Sequence, residues 1–261
     1  MKRLLTLLAA LLAGTAALAQ GTLNDLETDF GGRISAGADY KIAKGLHLDT
    51  GVELRSRDNF SNLGRVMGEV GLSYKVLPWM KASAGYVFIE HQNAEGSWKT
   101  RHRFHGDLTG TLKAGKWRFS LRERLQLTCK SVGNAYQTTP NSLALKSRLK
   151  VSYKGFKPLT PYGFVEARAV LNDPACSATW NGEEYSNYSF KGYTDAYFNR
   201  FRGGLGFEWK LDKRNALDFY LMTDYCYDKN IDTDAAGETL RSLTWDQTLR
   251  GIAGVEYKFS F

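Results

Sequence analysis

The 261-residue sequence is poor in cysteine, proline and histidine, with only three, five and four of them. Cys129, Cys176 and Cys226 lie far apart and match no metal-ligand spacing. An odd number in an exported chain leaves at least one unpaired, so no disulfide framework is expected to carry the fold. His102 and His105 stand three residues apart, which puts them on opposite faces of a strand, and no metal site is expected there. The few prolines fall mostly between strand-like segments, so those segments can pair without interruption. Past the first twenty residues there is no apolar run of about 18 residues, which excludes a spanning helix.

Catalytic motifs are equally scarce. The sequence has no G-x-S-x-G elbow, Walker loop, dinucleotide fingerprint or zinc-binding helix motif. His105 and Asp107 share a strand face, but no serine can be assigned to them, and they read as members of a polar network. No enzyme activity and no cofactor is expected.

The chain begins with a basic head, Met1-Lys2-Arg3, followed by an apolar run from Leu4 to Leu18. Ala17-Leu18-Ala19 before Gln20 has the form of a signal-peptidase site, so residues 1–19 are read as a cleaved secretory signal peptide and 20–261 as one domain. Removing Lys2 and Arg3 takes the net charge from +8 to about +6. The remaining basic residues are spread at alternate positions rather than bunched, which argues against a nucleic-acid partner.

The chain is rich in period-two alternation. Between Gly64 and Val76, Val66, Val70, Leu72, Tyr74 and Val76 share one face, and Met67, Glu69, Ser73 and Lys75 the other. Trp117, Phe119, Leu121, Leu125, Leu127 and Cys129 similarly oppose Arg118, Arg122, Arg124, Gln126, Thr128 and Lys130. Glu123 is a misfit, since it falls on the apolar side. The pattern returns in Leu143–Lys154, Asn199–Leu211 and Leu249–Phe261, and in segments near 27–42, 46–58, 80–92, 98–113, 159–172 and 216–229. Soluble sandwiches use strands of about five or six residues. A tilted path across a bilayer needs about nine to eleven.

Connections alternate in length. Tight turns are expected at Ala43-Lys44-Gly45, Leu77-Pro78, Ala114-Gly115-Lys116, 155–158 and 212–215, and longer links at 58–64, 93–97, 131–141, 173–196 and 230–243. This is the plan of an outer-membrane barrel. In hydrocarbon every backbone polar group needs a partner, so without a spanning helix only a closed barrel crosses. The expected fold is therefore an all-β, antiparallel, up-and-down transmembrane barrel of about twelve strands, with ten to twelve admissible. Eleven strands are readable, and an even number is the bacterial rule, so a short extra strand within residues 20–28 is expected. The rival fold is a soluble barrel or sandwich, which would turn its apolar face inward.

In the membrane reading the charged face lines the lumen. Its expected lining includes Arg101, Arg103, Arg118, Arg122, Arg124, Lys146, Arg148, Glu166, Arg168, Arg200, Arg202 and Glu208. Long side chains crossing a narrow lumen would pair and hold it closed, because buried charges need partners. The competing reading is a small anion-preferring pore, since rings of Arg and Lys favour anions. Tyr185, Tyr188, Tyr193 and Tyr197 would serve an outward loop, as partner contacts or interfacial anchors.

Arg101-His102-Arg103-Phe104, Arg118–Gln126, Leu143–Leu149, Pro161–Glu166 and Asn199–Gly204 together resemble the strand signatures of domain of unknown function 2490. Members of that family are predicted exported barrels of Gram-negative bacteria, especially Bacteroidetes. The resemblance implies an outer-membrane location and carries no activity. Residues 20–35 depart from the pattern, where a tryptophan-containing first strand would be expected. The C-terminal alternation ending at Phe261 looks like the signal that such barrels present to the barrel-assembly machinery. The expected partners are that machinery and the lipid bilayer, around a monomer.

Overall fold

A computed structural model describes residues 21–93 and 95–261. The signal-peptide reading of 1–19 lies outside the described residues. Every regular element described is a strand. β1 (Thr22–Ala43), β2 (Leu46–Arg57), β3 (Asn62–Leu77), β4 (Met80–Gln92), β5 (Trp98–Ala114), β6 (Trp117–Lys130), β7 (Asn141–Tyr153), β8 (Leu159–Asp173), β9 (Cys176–Trp180), β10 (Tyr185–Phe190), β11 (Asp195–Lys210), β12 (Asn215–Thr233) and β13 (Leu240–Ser260) follow in chain order. Eleven of them close into a barrel in the order β1-β13-β12-β11-β8-β7-β6-β5-β4-β3-β2, and β9 and β10 form a separate hairpin.

Ten of the eleven barrel pairings are antiparallel. The seam is parallel: β1 runs alongside β13 from Thr22 opposite Thr244 to Asp39 opposite Ser260. This is how eleven crossings close. Residues 22–28 lengthen β1 and do not form an added strand. The count lies within the expected range, while the even number does not hold. An odd up-and-down circuit brings its first and last strands together in the same direction.

The turns follow the sequence. Lys44-Gly45 joins β1 to β2, and Gly45 has φ +80°, a backbone state that glycine adopts without strain. In the β11–β12 turn, Asp212 accepts from the side-chain amide of Asn215 and from the N–H groups of Arg214 and Asn215, which together hold its carboxyl below the ordinary range. All these tight turns share one rim. The opposite rim carries the longer connections. The expected 173–196 loop is instead largely the β9–β10 hairpin, folded around Asn181-Gly182. The 230–243 link shrinks to 234–239, because β12 and β13 continue as a ribbon beyond the last β11 pair, Arg200–Cys226. The hairpin packs Cys176, Ala178, Tyr185 and Tyr188 on Ile231, Leu240 and Leu243 of that ribbon.

Polarity is inside out. Leu54, Val70, Phe104, Leu121, Leu125, Val165, Leu205 and Leu221 stand exposed on the outer wall. The buried side chains with charge or polarity, among them Asp107, Glu166, Asp218 and Asp224, point into the lumen from the alternate positions. Aromatic rings crowd the short-turn rim: Trp117 packs on Tyr153, and Phe261 on Tyr40 and Phe259. Three free cysteines complete the picture, with no disulfide among the described residues.

Candidate functional site

The lumen is built by strand register. Residues directly opposite on neighbouring strands share a face at short range. Across β6, β7, β8, β11, β12, β13 and β1 one such row reads Arg122, Arg148, Glu166, Arg202, Asp224, Arg250 and Asp29. From Arg148 onward the signs alternate, so neighbours attract. The side chains meet accordingly. Glu166 accepts Arg122 Nη2 at 3.1 Å, Arg148 Nε at 3.0 Å and Arg202 Nη1 at 3.1 Å. Arg202 also donates to Asp224 at 2.8 Å, and Arg250 to Asp29 at 2.8 Å. Arg124 holds Asp107 with two bonds of 2.7 Å, a bidentate fork. The Glu166 side chain is 4% exposed, so its charge is set by these three guanidinium groups and not by bulk water. Together these pairs form a belt along the lumen wall.

Below the belt, toward the tight turns, lies a cavity of about 550 Å³. Arg148 of the belt lines it, together with Tyr162, Phe164, Tyr220 and Met222. Tyr162 donates to Asp218 at 2.7 Å, and Lys258 reaches the same carboxylate at 2.5 Å. Arg118 and Glu208 of the expected lining also belong to this lower half: Glu208 lies 3.7 Å from Lys258, and Arg118 is paired across to Ser152. Above the belt stand Arg101, Arg103, Lys146, Arg168 and Arg200. Only Arg200 of these has a carboxylate, Asp224 at 3.5 Å.

The expected lining thus divides into a paired belt, a mixed lower chamber and a basic upper chamber. Asp29, Arg33, Arg65, Asp218 and Asp224 escaped the sequence reading, although their parity follows the same alternation. His102 and His105 do lie on opposite faces. His102 meets the Tyr86 hydroxyl at 2.8 Å on the outer wall, and His105 sits inside, 3.5 Å from Glu69. On the outer wall Glu123 is paired across to Ser147, whose hydroxyl donates to it.

The long-rim tyrosines are engaged within the chain. Tyr193 donates to the Ala135 carbonyl at 2.9 Å, Tyr197 to Asp173 at 3.1 Å, and Tyr185 packs on Trp180. Asn134 and Gln137 of the 131–140 link bond to residues 232–234. Three connections therefore form one packed cap on that rim.

A family model described as "Protein of unknown function (DUF2490)" matches residues 34–234. No curated protein matches the chain.

Proposed function

Because this chain belongs to the DUF2490 family of proteins of unknown function, whose description supplies no activity, we propose from its geometry that it is a monomeric outer-membrane barrel with a closed lumen, acting as a structural or binding protein and not as an open channel. One observation carries the reading: the outer wall is apolar and the interior is charged. Soluble proteins rarely expose contiguous apolar surface beyond a few hundred Å². A lipid-facing barrel requires it. The aromatic short-turn rim fits an interfacial girdle, and the last strand, ending beside Phe261, suits delivery by the barrel-assembly machinery.

The belt supports a closed lumen, since its ion pairs tie β6, β7, β8, β11 and β12 together and β13 to β1. The test is planar-bilayer recording of the refolded protein, together with gel mobility before and after heating. A folded, heat-modifiable barrel without stable conductance is expected. Stable anion-selective conductance would replace this reading with the pore, and Arg122 and Arg124 would be the first positions to change.

Glu123 offers a second check. A carboxyl group on a lipid-facing wall costs less than the ~2–4 kcal/mol of a cation at the midplane, but it still costs. Glu123→Leu is expected to raise stability in lipid vesicles by about 1 kcal/mol, read from the guanidinium midpoint. A loss instead would mean that the Ser147 bond serves a polar interface, and the lipid assignment of that face would fall.

A further inference from the structure

Strand register places like charges directly opposite one another in the lumen. On one wall Arg33, Arg55 and Arg65 form a continuous row across β1 to β3, with Arg33 at its lower end lining the cavity below the belt. On the facing wall Arg124, Lys146, Arg168 and Arg200 do the same across β6, β7, β8 and β11. Like charges opposed in this way destabilise a sheet. The chain neutralises some of them: Glu53 takes Arg55, Asp107 takes Arg124 and Asp224 takes Arg200. Arg65, Arg101, Arg103, Lys146 and Arg168 are left above the belt. Among the described residues no carboxylate lies within ion-pair distance of any of these five.

The five converge. Arg103 of β5 is in electrostatic reach of Arg55 on one wall and of Arg168 and Arg200 on the other. Lys146 is in reach of Arg103 and Arg168. Arg65 is in reach of Arg101, Arg103 and Arg200. The Nε of Arg168 is buried with no hydrogen-bond acceptor. Asp228 is in electrostatic reach of Arg168, and its carboxylate is already bonded to the Asn199 amide at 2.6 Å. Directly beneath, Glu166 is saturated by three guanidinium groups, so the belt offers a floor and no spare charge.

Guanidinium forks match phosphate oxygens in pairs, and five cations from four strands suit a ligand that carries several charges. We propose that the upper lumen, between the belt and the packed cap, is a binding chamber for a small phosphate-bearing polyanion. The inference rests on the closed-barrel reading, in which the belt is the floor of the chamber.

The experiment is calorimetric titration of the refolded protein with inorganic pyrophosphate at fixed ionic strength, alongside thermal melting. Pyrophosphate is expected to bind and to raise the melting temperature. Arg65→Gln and Arg168→Gln are each expected to weaken binding at least tenfold. Without pyrophosphate both variants should melt no lower than the parent protein, because each removes a repulsion, so loss of binding cannot be blamed on misfolding. Failure of the parent protein to bind at millimolar pyrophosphate, or binding by both variants as tight as the parent's, would overturn the proposal. So would citrate binding as tightly as pyrophosphate, since the chamber would then lack phosphate selectivity. Gel mobility and conductance on the same preparation keep the two readings apart. A folded, non-conducting barrel that ignores pyrophosphate sinks only the chamber, whereas an open pore removes its floor and sinks both.

Discussion

Replacing Glu166 by Gln is expected to cost about 3–5 kcal/mol of folding free energy, the range for removing one partner of a buried ion pair. The isostere keeps the volume and one acceptor oxygen but loses the charge that Arg122, Arg148 and Arg202 share. The reading is a denaturant titration in detergent or vesicles, in which the midpoint falls while the slope stays fixed. Glu53→Gln is the control. Its partnership with Arg55 lies in a less buried part of the lumen, with both side chains above a fifth exposed, so a loss near 1 kcal/mol is expected. Adding Arg148→Gln to Glu166→Gln should recover part of the loss, because it removes one of the stranded cations and the two sites couple directly. Equal, small effects at Glu166 and Glu53 would mean that lumen water solvates the belt and that it does not hold the barrel closed.

The second large effect is expected on the outer wall. Leu121 is 50% exposed there, opposite Leu149 of β7 and Gly110 of β5. If that wall faces water, Leu121→Arg touches little and should change stability by no more than about 0.5 kcal/mol. In a bilayer the same substitution puts a cation among acyl chains, at a cost of about 2–4 kcal/mol near the midplane. Unfolding from lipid vesicles separates the two by a margin well beyond extrapolation error. Lys113, close to the short-turn rim, supplies the comparison: Lys113→Arg should be neutral in either solvent.

Much of this architecture was legible because a strand has the shortest period in protein structure. Alternation fixes which residues share a face, so Val66, Leu121 and Leu205 could be set apart from Glu69, Arg122 and Arg202 without coordinates. Glu123 broke the pattern in the sequence and sits on the apolar wall in the structure. Alternation alone does not tell which face turns inward, and the exposure of the apolar face decides it. Register was not legible. The opposition of Arg148 and Glu166, or of Arg33 and Arg55, depends on where each strand starts relative to its neighbour, and a slip of one residue would invert a face. Asp218 and Asp224 were overlooked because the 216–229 segment was read as a strand without being divided into faces. The β9–β10 hairpin was hidden by its five- and six-residue strands, although Asn181-Gly182 is a hairpin dipeptide and was the available signal. Strand parity failed for another reason. The even-number rule describes barrels whose two chain ends return to one rim, and nothing in the alternation of β1 announces which way it pairs with β13.

That parallel seam has a consequence for the two ends of the chain. Eleven crossings are an odd number, so a polypeptide that enters the barrel at the long-loop rim finishes at the other. Thr22 stands on the rim of the packed cap, and Ser260 on the rim of the tight turns. In the proposed placement those rims face two compartments, the cell exterior and the periplasm. The polypeptide is then itself a thread tied across the membrane, with a label at its start readable only from outside and a label at its finish only from within.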